Sequence, residues 1–223
     1  MQSNLRLLTL LINLGLVHAH MAAWHRGMYC LNGTTPGVDN ENASEAVRPV
    51  YQLPKSEWWS TSFSCALPSC DEFPPAPGDF IELPAGGSFT VEIAGNRGQT
   101  SLSYGGKYIA NDLADDYSES PNCITSPNYH TQNKTTAAGT VFAISYQASE
   151  CDIKQVTAEN LVVFTVKYHT PWNRLTSYNV PAALPACPDD GCHCVWGWVP
   201  NHCGQPNMYM HPYKCKVIGA TSS

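Results

Sequence analysis

Ten cysteines (Cys30, Cys65, Cys70, Cys123, Cys151, Cys187, Cys192, Cys194, Cys203 and Cys215) restrict what this chain can fold into more than any other feature. They follow an opening that reads as an export signal over residues 1–19. Arg6 supplies the positive start, Leu7 to Leu16 an apolar run, and Val17-His18-Ala19 a small-residue cleavage pattern. The run is shorter than the roughly 20 residues a membrane span needs. Cleavage after Ala19 is therefore expected, with no transmembrane span in the mature chain. An even cysteine count in an exported protein implies up to five disulfides, each adding about 2–4 kcal/mol. Spacing leaves the pairing open. Cys187, Cys192 and Cys194 also admit a zinc reading. Three Asn-x-Ser/Thr sequons, at Asn32, Asn42 and Asn133, agree with a secreted, glycosylated protein.

The chain is acidic, with a net charge of −6, one unit more negative once Arg6 is removed. No basic run interleaves with aromatic residues, which argues against a nucleic-acid partner. The mature length suits one core. The expected organisation is a single domain over residues 20–219, followed at 220–223 by the start of a flexible tail, in a monomer.

Hydropathy alternates with period two. Phe89, Val91 and Ile93 are apolar between Ser88, Thr90 and Glu92, the pattern of a half-buried strand. Phe80 to Leu83 precedes it across Pro84-Ala85-Gly86-Gly87, predicting a hairpin. Further strands are expected at Thr100 to Tyr104, Thr140 to Tyr146, Leu161 to Tyr168, Val195 to Val199 and Met208 to Ile218. Short strands at this spacing predict an all-β, immunoglobulin- or fibronectin-like antiparallel β-sandwich. Long loops at Asn32 to Pro49 and Asp112 to Ala138 would be stabilised by disulfides or carry function.

Cleavage after Ala19 would give His20 a free α-amino group beside its imidazole. Those two nitrogens chelate one metal, and a second imidazole opposite completes a three-nitrogen set suited to Cu(II). The amine binds only when deprotonated, so capture weakens as pH falls.

Several stretches, in order along nearly the whole mature chain, carry a resemblance. They include His20-Met21-Ala22-Ala23-Trp24, Glu57-Trp58-Trp59, Pro77-Gly78-Asp79-Phe80-Ile81-Glu82-Leu83 and Val91-Glu92-Ile93-Ala94. Asn128-Tyr129-His130-Thr131, Cys187-Pro188-Asp189-Asp190-Gly191-Cys192-His193-Cys194 and Met208-Tyr209-Met210 follow. Together they resemble the fungal lytic polysaccharide monooxygenases of auxiliary-activity family fourteen. The resemblance implies one mononuclear copper ion held by His20, through amine and imidazole, and by His130, with Tyr209 axial. It implies oxidative cleavage of plant cell-wall polysaccharide, xylan associated with cellulose foremost, using an external electron donor and O2 or H2O2. It places the protein outside the cell, with surface anchoring if the natural chain is longer. Trp58 or Trp59 would stack on sugar. His25, His169, His193, His202 and His211 have no motif support and are read as surface groups or groups around the site.

Three departures qualify the likeness. Related monooxygenases often carry Gln or Glu two residues before the axial tyrosine; here Asn207 offers the same amide on a shorter stem. Members continue the Trp-Trp pair with aromatic and His residues, whereas this chain reads Ser60-Thr61-Ser62. Cys151 and Cys203 look like additions. Tyr209 and Asn207 are the candidate catalytic residues. Two other readings stay open: a non-catalytic secreted protein for copper capture or delivery, and a structural or adhesion domain whose histidines bind nothing.

Overall fold

The computed structural model describes residues 20–51, 70–113, 123–124, 127–147, 153–201, 203 and 207–222. The export signal, Trp58, Trp59, Ser60-Thr61-Ser62, Cys65, Cys151 and His202 lie outside them. Among the described residues nine strands run β1 (Ala22–Trp24), β2 (Val50–Tyr51), β3 (Ile81–Pro84), β4 (Ser88–Ala94), β5 (Thr140–Ser145), β6 (Val162–Lys167), β7 (Leu175–Asn179), β8 (Cys192–Trp198) and β9 (Asn207–Ile218). Among the described residues no helix is long and apolar enough to cross a membrane.

The fold is predominantly β. One sheet has the order β1-β4-β7; the other runs β2-β9-β8-β5-β6, with β3 also joined to β9. All of these pairings are antiparallel except β3 with β9, which is parallel. That exception corrects a purely antiparallel expectation, and it removes the expected β3–β4 hairpin. The turn at Pro84–Gly87 does close, with Gly87 N–H donating to the Pro84 carbonyl at 2.8 Å. Instead of pairing the strands it links, it carries the chain from one sheet to the other. Ala85 N–H bonds Ile218 on β9, while Gly86 N–H bonds Val180 just beyond β7.

The expected strand at Thr100 to Tyr104 is also absent, because polar side chains take its backbone donors. Thr100 Oγ1 accepts from Leu102 N–H, and the Glu92 carboxylate accepts from Ser101 N–H. Conversely, β1 and β7 escape a period-two search. β1 is buried throughout, so it shows no alternation, and β7 reads Leu-Thr-Ser-Tyr-Asn.

The core lies between the sheets. Phe89 on β4 and Tyr178 on β7 meet Phe142 on β5, with centroids 4.9 and 4.8 Å from it, and Tyr213 on β9 closes the group. Truncating a buried ring such as Phe142 to Ala costs about 3–5 kcal/mol.

β8 is buried on both faces. Cys192, Cys194, Trp196 and Trp198 face the main core, whereas Val195 joins Met208, Met210, Tyr29 and Ile153 in a second apolar cluster. The loop after β1 covers that second face. Tyr29 N–H bonds Pro212, and Lys214 N–H bonds Gly27. Any Cβ at Gly27 would lie 2.6 Å from the Ile81 amide nitrogen, so the chain crosses there only as glycine.

Four disulfides join described residues: Cys30–Cys70, Cys123–Cys203, Cys187–Cys192 and Cys194–Cys215. The zinc alternative for Cys187, Cys192 and Cys194 is thereby excluded, since each sulfur is committed to a bond. Of the residues read as a tail, the Ser222 carbonyl accepts from Ala186 N–H.

Candidate metal centre

His20 is placed by its neighbours. Ala22 pairs with Ala94, and Trp24 Nε1–H donates to the Ala94 carbonyl at 2.9 Å. The Tyr213 hydroxyl donates to the Ala23 carbonyl. Met21 to Trp24 are buried, so the first residues are part of the core while His20 itself stays half-exposed.

His130 comes from the loop before β5 and holds a left-handed backbone, φ 48°. For a residue with a Cβ this costs on the order of 1–2 kcal/mol. The Asn128 side chain offsets part of it by accepting from His130 N–H at 3.3 Å, and Ile124 N–H bonds the Thr131 carbonyl at 2.8 Å. The twisted backbone turns the ring inward, where it is 5% exposed.

The His130 ring is fixed at both nitrogens. Nδ1–H donates to the Cys203 carbonyl at 2.7 Å, so Nε2 keeps its lone pair. Nε2 lies 2.8 Å from the Tyr209 hydroxyl, which also lies 2.7 Å from His20 Nδ1. The two imidazoles thus converge on one phenol oxygen. Their planes are parallel within 3°, with centroids 6.1 Å apart.

Tyr209 sits on the core-facing side of β9, stacked on Trp198 at 4.4 Å, and Trp198 also meets His130 edge-on at 5.6 Å. With one O–H to give, the phenol donates to His130 Nε2. It accepts from His20 Nδ1–H and from Asn207 Nδ2–H, the latter at 3.1 Å. Burial raises the Tyr209 pKa well beyond the ordinary phenol value, so the hydroxyl keeps its proton. Burial also lowers the His130 pKa against the opposing bond to Cys203, which keeps the ring neutral and able to ligate. Asn207 Oδ1 is buried without a hydrogen-bond partner among the described residues.

The predicted site residues His20, His130, Tyr209 and Asn207 therefore meet in one place. The donors are neutral imidazole nitrogen, phenol oxygen and amide; the α-amine of His20 would join them if the chain were cleaved after Ala19. That set fits a copper ion: nitrogen donors suit Cu(II), and a ring held by a backbone carbonyl through its other nitrogen is the usual support of a metal-ligating histidine. Among the described residues there is no group of three or more His, Cys, Asp or Glu that could hold a metal. The pair of histidines with a tyrosine is the candidate.

Sequence reading misses Trp198, Asn128 and the Cys203 carbonyl. Trp196 and Trp198 alternate on one strand and so share a face, which was a usable signal; a backbone carbonyl leaves none. His193 and His211, read as surface groups or groups around the site, are instead buried strand residues. His211 Nε2–H donates to the Tyr29 carbonyl at 2.9 Å, and burial pushes its pKa down to about 4. His193 Nε2 lies 3.2 Å from the Tyr29 hydroxyl.

The chain matches the family model "Lytic polysaccharide monooxygenase AA14" over residues 2–223. It is 36% identical over 215 residues to an "AA14 family lytic polysaccharide monooxygenase B" of Pycnoporus cinnabarinus, covering 94% of this chain and 52% of that protein. A protein of the same description from Talaromyces rugulosus is 35% identical over 222 residues, 92% of this chain and 73% of that one. An "AA14 family lytic polysaccharide monooxygenase A" of Trametes coccinea (strain BRFM310) is 32% identical over 205 residues, 90% and 44% respectively. The chain spans about half the length of the Pycnoporus and Trametes relatives.

Proposed function

Because this chain belongs to the AA14 family of lytic polysaccharide monooxygenases, we propose that it is a secreted, copper-dependent oxidoreductase that cleaves plant cell-wall polysaccharide, xylan associated with cellulose foremost. The carrying observation is the convergence of His20 Nδ1 and His130 Nε2 on the Tyr209 hydroxyl, at 2.7 and 2.8 Å. His20, through amine and imidazole, and His130 would hold one copper ion, with the Tyr209 hydroxyl as the oxygen donor beside them. In this reading residues 1–19 are removed, residues 20–219 form one monomeric domain, and the two sheets constitute an immunoglobulin- or fibronectin-like sandwich. A longer natural chain would allow surface anchoring.

Copper, when bound, supplies the one-electron chemistry that directs O2 or H2O2, with an external electron donor, at a carbon of the glycosidic linkage. The protein's own groups prepare the place. The Cys203 carbonyl holds the proton on His130 Nδ1 and so keeps Nε2 for ligation. Trp198, packed beneath Tyr209, closes the core side to water, leaving half-exposed His20 toward a polymer. The unpartnered Asn207 Oδ1 is an acceptor for the O–H of peroxide or water.

A second reading, non-catalytic copper capture or delivery, is favoured by the other half of that amide. One N–H of Asn207 Nδ2 is spent on Tyr209 at 3.1 Å and the nitrogen also lies 3.5 Å from His130 Nε2, so on its shorter stem the amide nitrogen faces the two candidate ligands rather than an oxygen species. The two readings separate in one experiment: copper-loaded protein with reductant and peroxide on xylan–cellulose substrates. Release of oxidised oligosaccharides, read by mass spectrometry, is the expected result. Their absence across a broad glycan panel, with a normal copper spectrum, would transfer the assignment to copper handling.

A further inference from the structure

Among the three sequons, Asn42-Ala43-Ser44 is set apart by what surrounds it. Asn42 is exposed, and its Nδ2–H donates to the Tyr104 hydroxyl at 2.6 Å. Its Oδ1 is turned away, against Gly98, where an added Cβ would lie 2.6 Å from it. The amide nitrogen, the atom that carries an N-linked sugar, is thereby aimed at an aromatic side chain. Ser44 supplies the hydroxyl that a sequon needs, and its side chain makes no capping bond to the short helix at Glu45–Val47 that it precedes. At Asn32 and Asn133 the bonds run instead to the amide oxygen, from Arg97 and from Thr136 N–H.

The ring that Asn42 touches belongs to an exposed apolar shelf. Tyr104 and Tyr108 meet edge-to-face with centroids 5.2 Å apart, and Ile109 follows them in the chain. Tyr104 is 36%, Tyr108 55% and Ile109 38% exposed. A single exposed apolar side chain is ordinary; a group of them beside a sequon marks a surface that something covers.

The shelf is held in place by bonds from the sequon's own loop. Tyr104 takes a left-handed backbone, φ 50°, which a residue with a Cβ disfavours. Glu41 and Asn42 secure it at both ends: the Glu41 carboxylate accepts from Tyr104 N–H at 2.8 Å, while Asn42 holds the hydroxyl. The same stretch leads back to the first mature residue. The Gln99 carbonyl accepts from Ala110 N–H at 3.0 Å, and Gln99 Oε1 accepts from Gly95 N–H at 3.1 Å. A Cβ added to Gly95 would lie 3.4 Å from the His20 carbonyl oxygen, so the loop that carries the shelf starts beside the candidate metal centre.

We propose that Asn42 carries an N-linked glycan whose first N-acetylglucosamine lies against Tyr104 and Tyr108, covering the shelf and bracing the loop beside His20. The proposal rests on the export part of the functional reading above, not on copper or oxidation. The donor is an oligosaccharide carried on a polyprenyl diphosphate of the secretory membrane. Asn42 Nδ2 gives up one proton and bonds to C1 of the sugar. The C1–O bond to the carrier breaks, and the diphosphate leaves with the bonding pair, so nothing is oxidised or reduced. Nδ2 keeps its second hydrogen, which continues to serve the Tyr104 hydroxyl. The apolar face of the sugar meets the tyrosine rings while its hydroxyls stay in water.

The test uses the full chain secreted from a fungal host. Peptide mass mapping, before and after peptide N-glycosidase, should place a glycan on Asn42. The comparison is Ser44→Ala, which removes the sequon while keeping Asn42 and its bond to Tyr104. With the glycan trimmed to one N-acetylglucosamine, tetranitromethane should nitrate Tyr104 and Tyr108 about 3- to 10-fold more slowly than in Ser44→Ala. Ser44→Ala should unfold about 2–4 °C lower. Tyr108→Ala should lower the unfolding temperature less in the Ser44→Ala background than in the glycosylated protein, because sugar and ring are then uncoupled. A bare Asn42 in secreted protein would overturn the proposal. So would a glycan whose loss changes neither nitration nor unfolding, or rings protected by xylan fragments and not by the glycan. The two readings fail separately. Protein kept in the cell with residues 1–19 attached concerns export, and secreted protein bare at Asn42 concerns this site alone.

Discussion

The carbonyl oxygen of Cys203 lies 2.7 Å from Nδ1 of His130, and the same Cys203 is joined through sulfur to Cys123. One residue thus staples the loop leading to His130 and selects the tautomer of its ring. A cysteine that looks like an addition by sequence becomes a positioning group for the metal centre.

Replacing Cys123 and Cys203 together by Ser should therefore do two things. The bridge closes a sequence separation of 80, so its loss should cost roughly 4–5 kcal/mol on a loop-entropy argument. Copper affinity should also fall about 10- to 100-fold, the usual effect of losing support behind a ligating histidine. The control is Cys187–Cys192, which closes a separation of 5 and should cost roughly 2 kcal/mol with copper affinity unchanged. Calorimetric titration and denaturant unfolding of both variants check this; equal copper affinities would remove Cys203 from the centre.

His20→Ala, or one residue left ahead of His20, removes a chelating imidazole or displaces the amine from it. Copper affinity should fall by orders of magnitude in each. Calorimetry showing unchanged binding in either variant would sink the proposed ligand set.

Tyr209→Phe deletes the oxygen on which His20, His130 and Asn207 converge. Asn207 Nδ2 would lose its 3.1 Å partner in a buried place and keep only the longer 3.5 Å approach to His130 Nε2, costing about 1–3 kcal/mol in unfolding experiments. Copper affinity should stay within a few-fold, because the nitrogen ligands remain, whereas the paramagnetic resonance spectrum of Cu(II) should shift. An unshifted spectrum would take Tyr209 out of the axial position.

Copper capture should be pH-dependent in a defined direction. The His130 pKa is lowered by burial, so that ring stays unprotonated further into acid than an ordinary histidine. The α-amine of His20, with a reference pKa of roughly 7.7–8.0, is the group that protonates first. Apparent affinity should fall about tenfold per unit as pH drops from roughly 7.5 to 6.5. A protein carrying one extra N-terminal residue should lose the His20 contribution to that slope. Titrations at a series of pH values measure it, and a flat profile would argue against the amine.

The even cysteine count and the alternation of Phe89, Val91 and Ile93 made a disulfide-bonded β protein legible from sequence, because each is a local pattern with a local physical cause. His20, His130, Tyr209 and Asn207 were legible as candidates through ordered short motifs. Beyond the grouping of His20, His130 and Tyr209 that the resemblance implied, sequence did not supply the relationships between residues distant along the chain. The parallel joining of β3 to β9 and the Cys194–Cys215 bridge between β8 and β9 depend on register, and the Cys203 carbonyl behind His130 depends on how two distant loops pack. Register is decided when two sheets bury their apolar faces against one another, and a shift of one residue would turn Tyr209 from the core side to the second cluster. Local pattern chose the elements and the resemblance nominated the candidate ligands; only packing brought two imidazoles to one phenol.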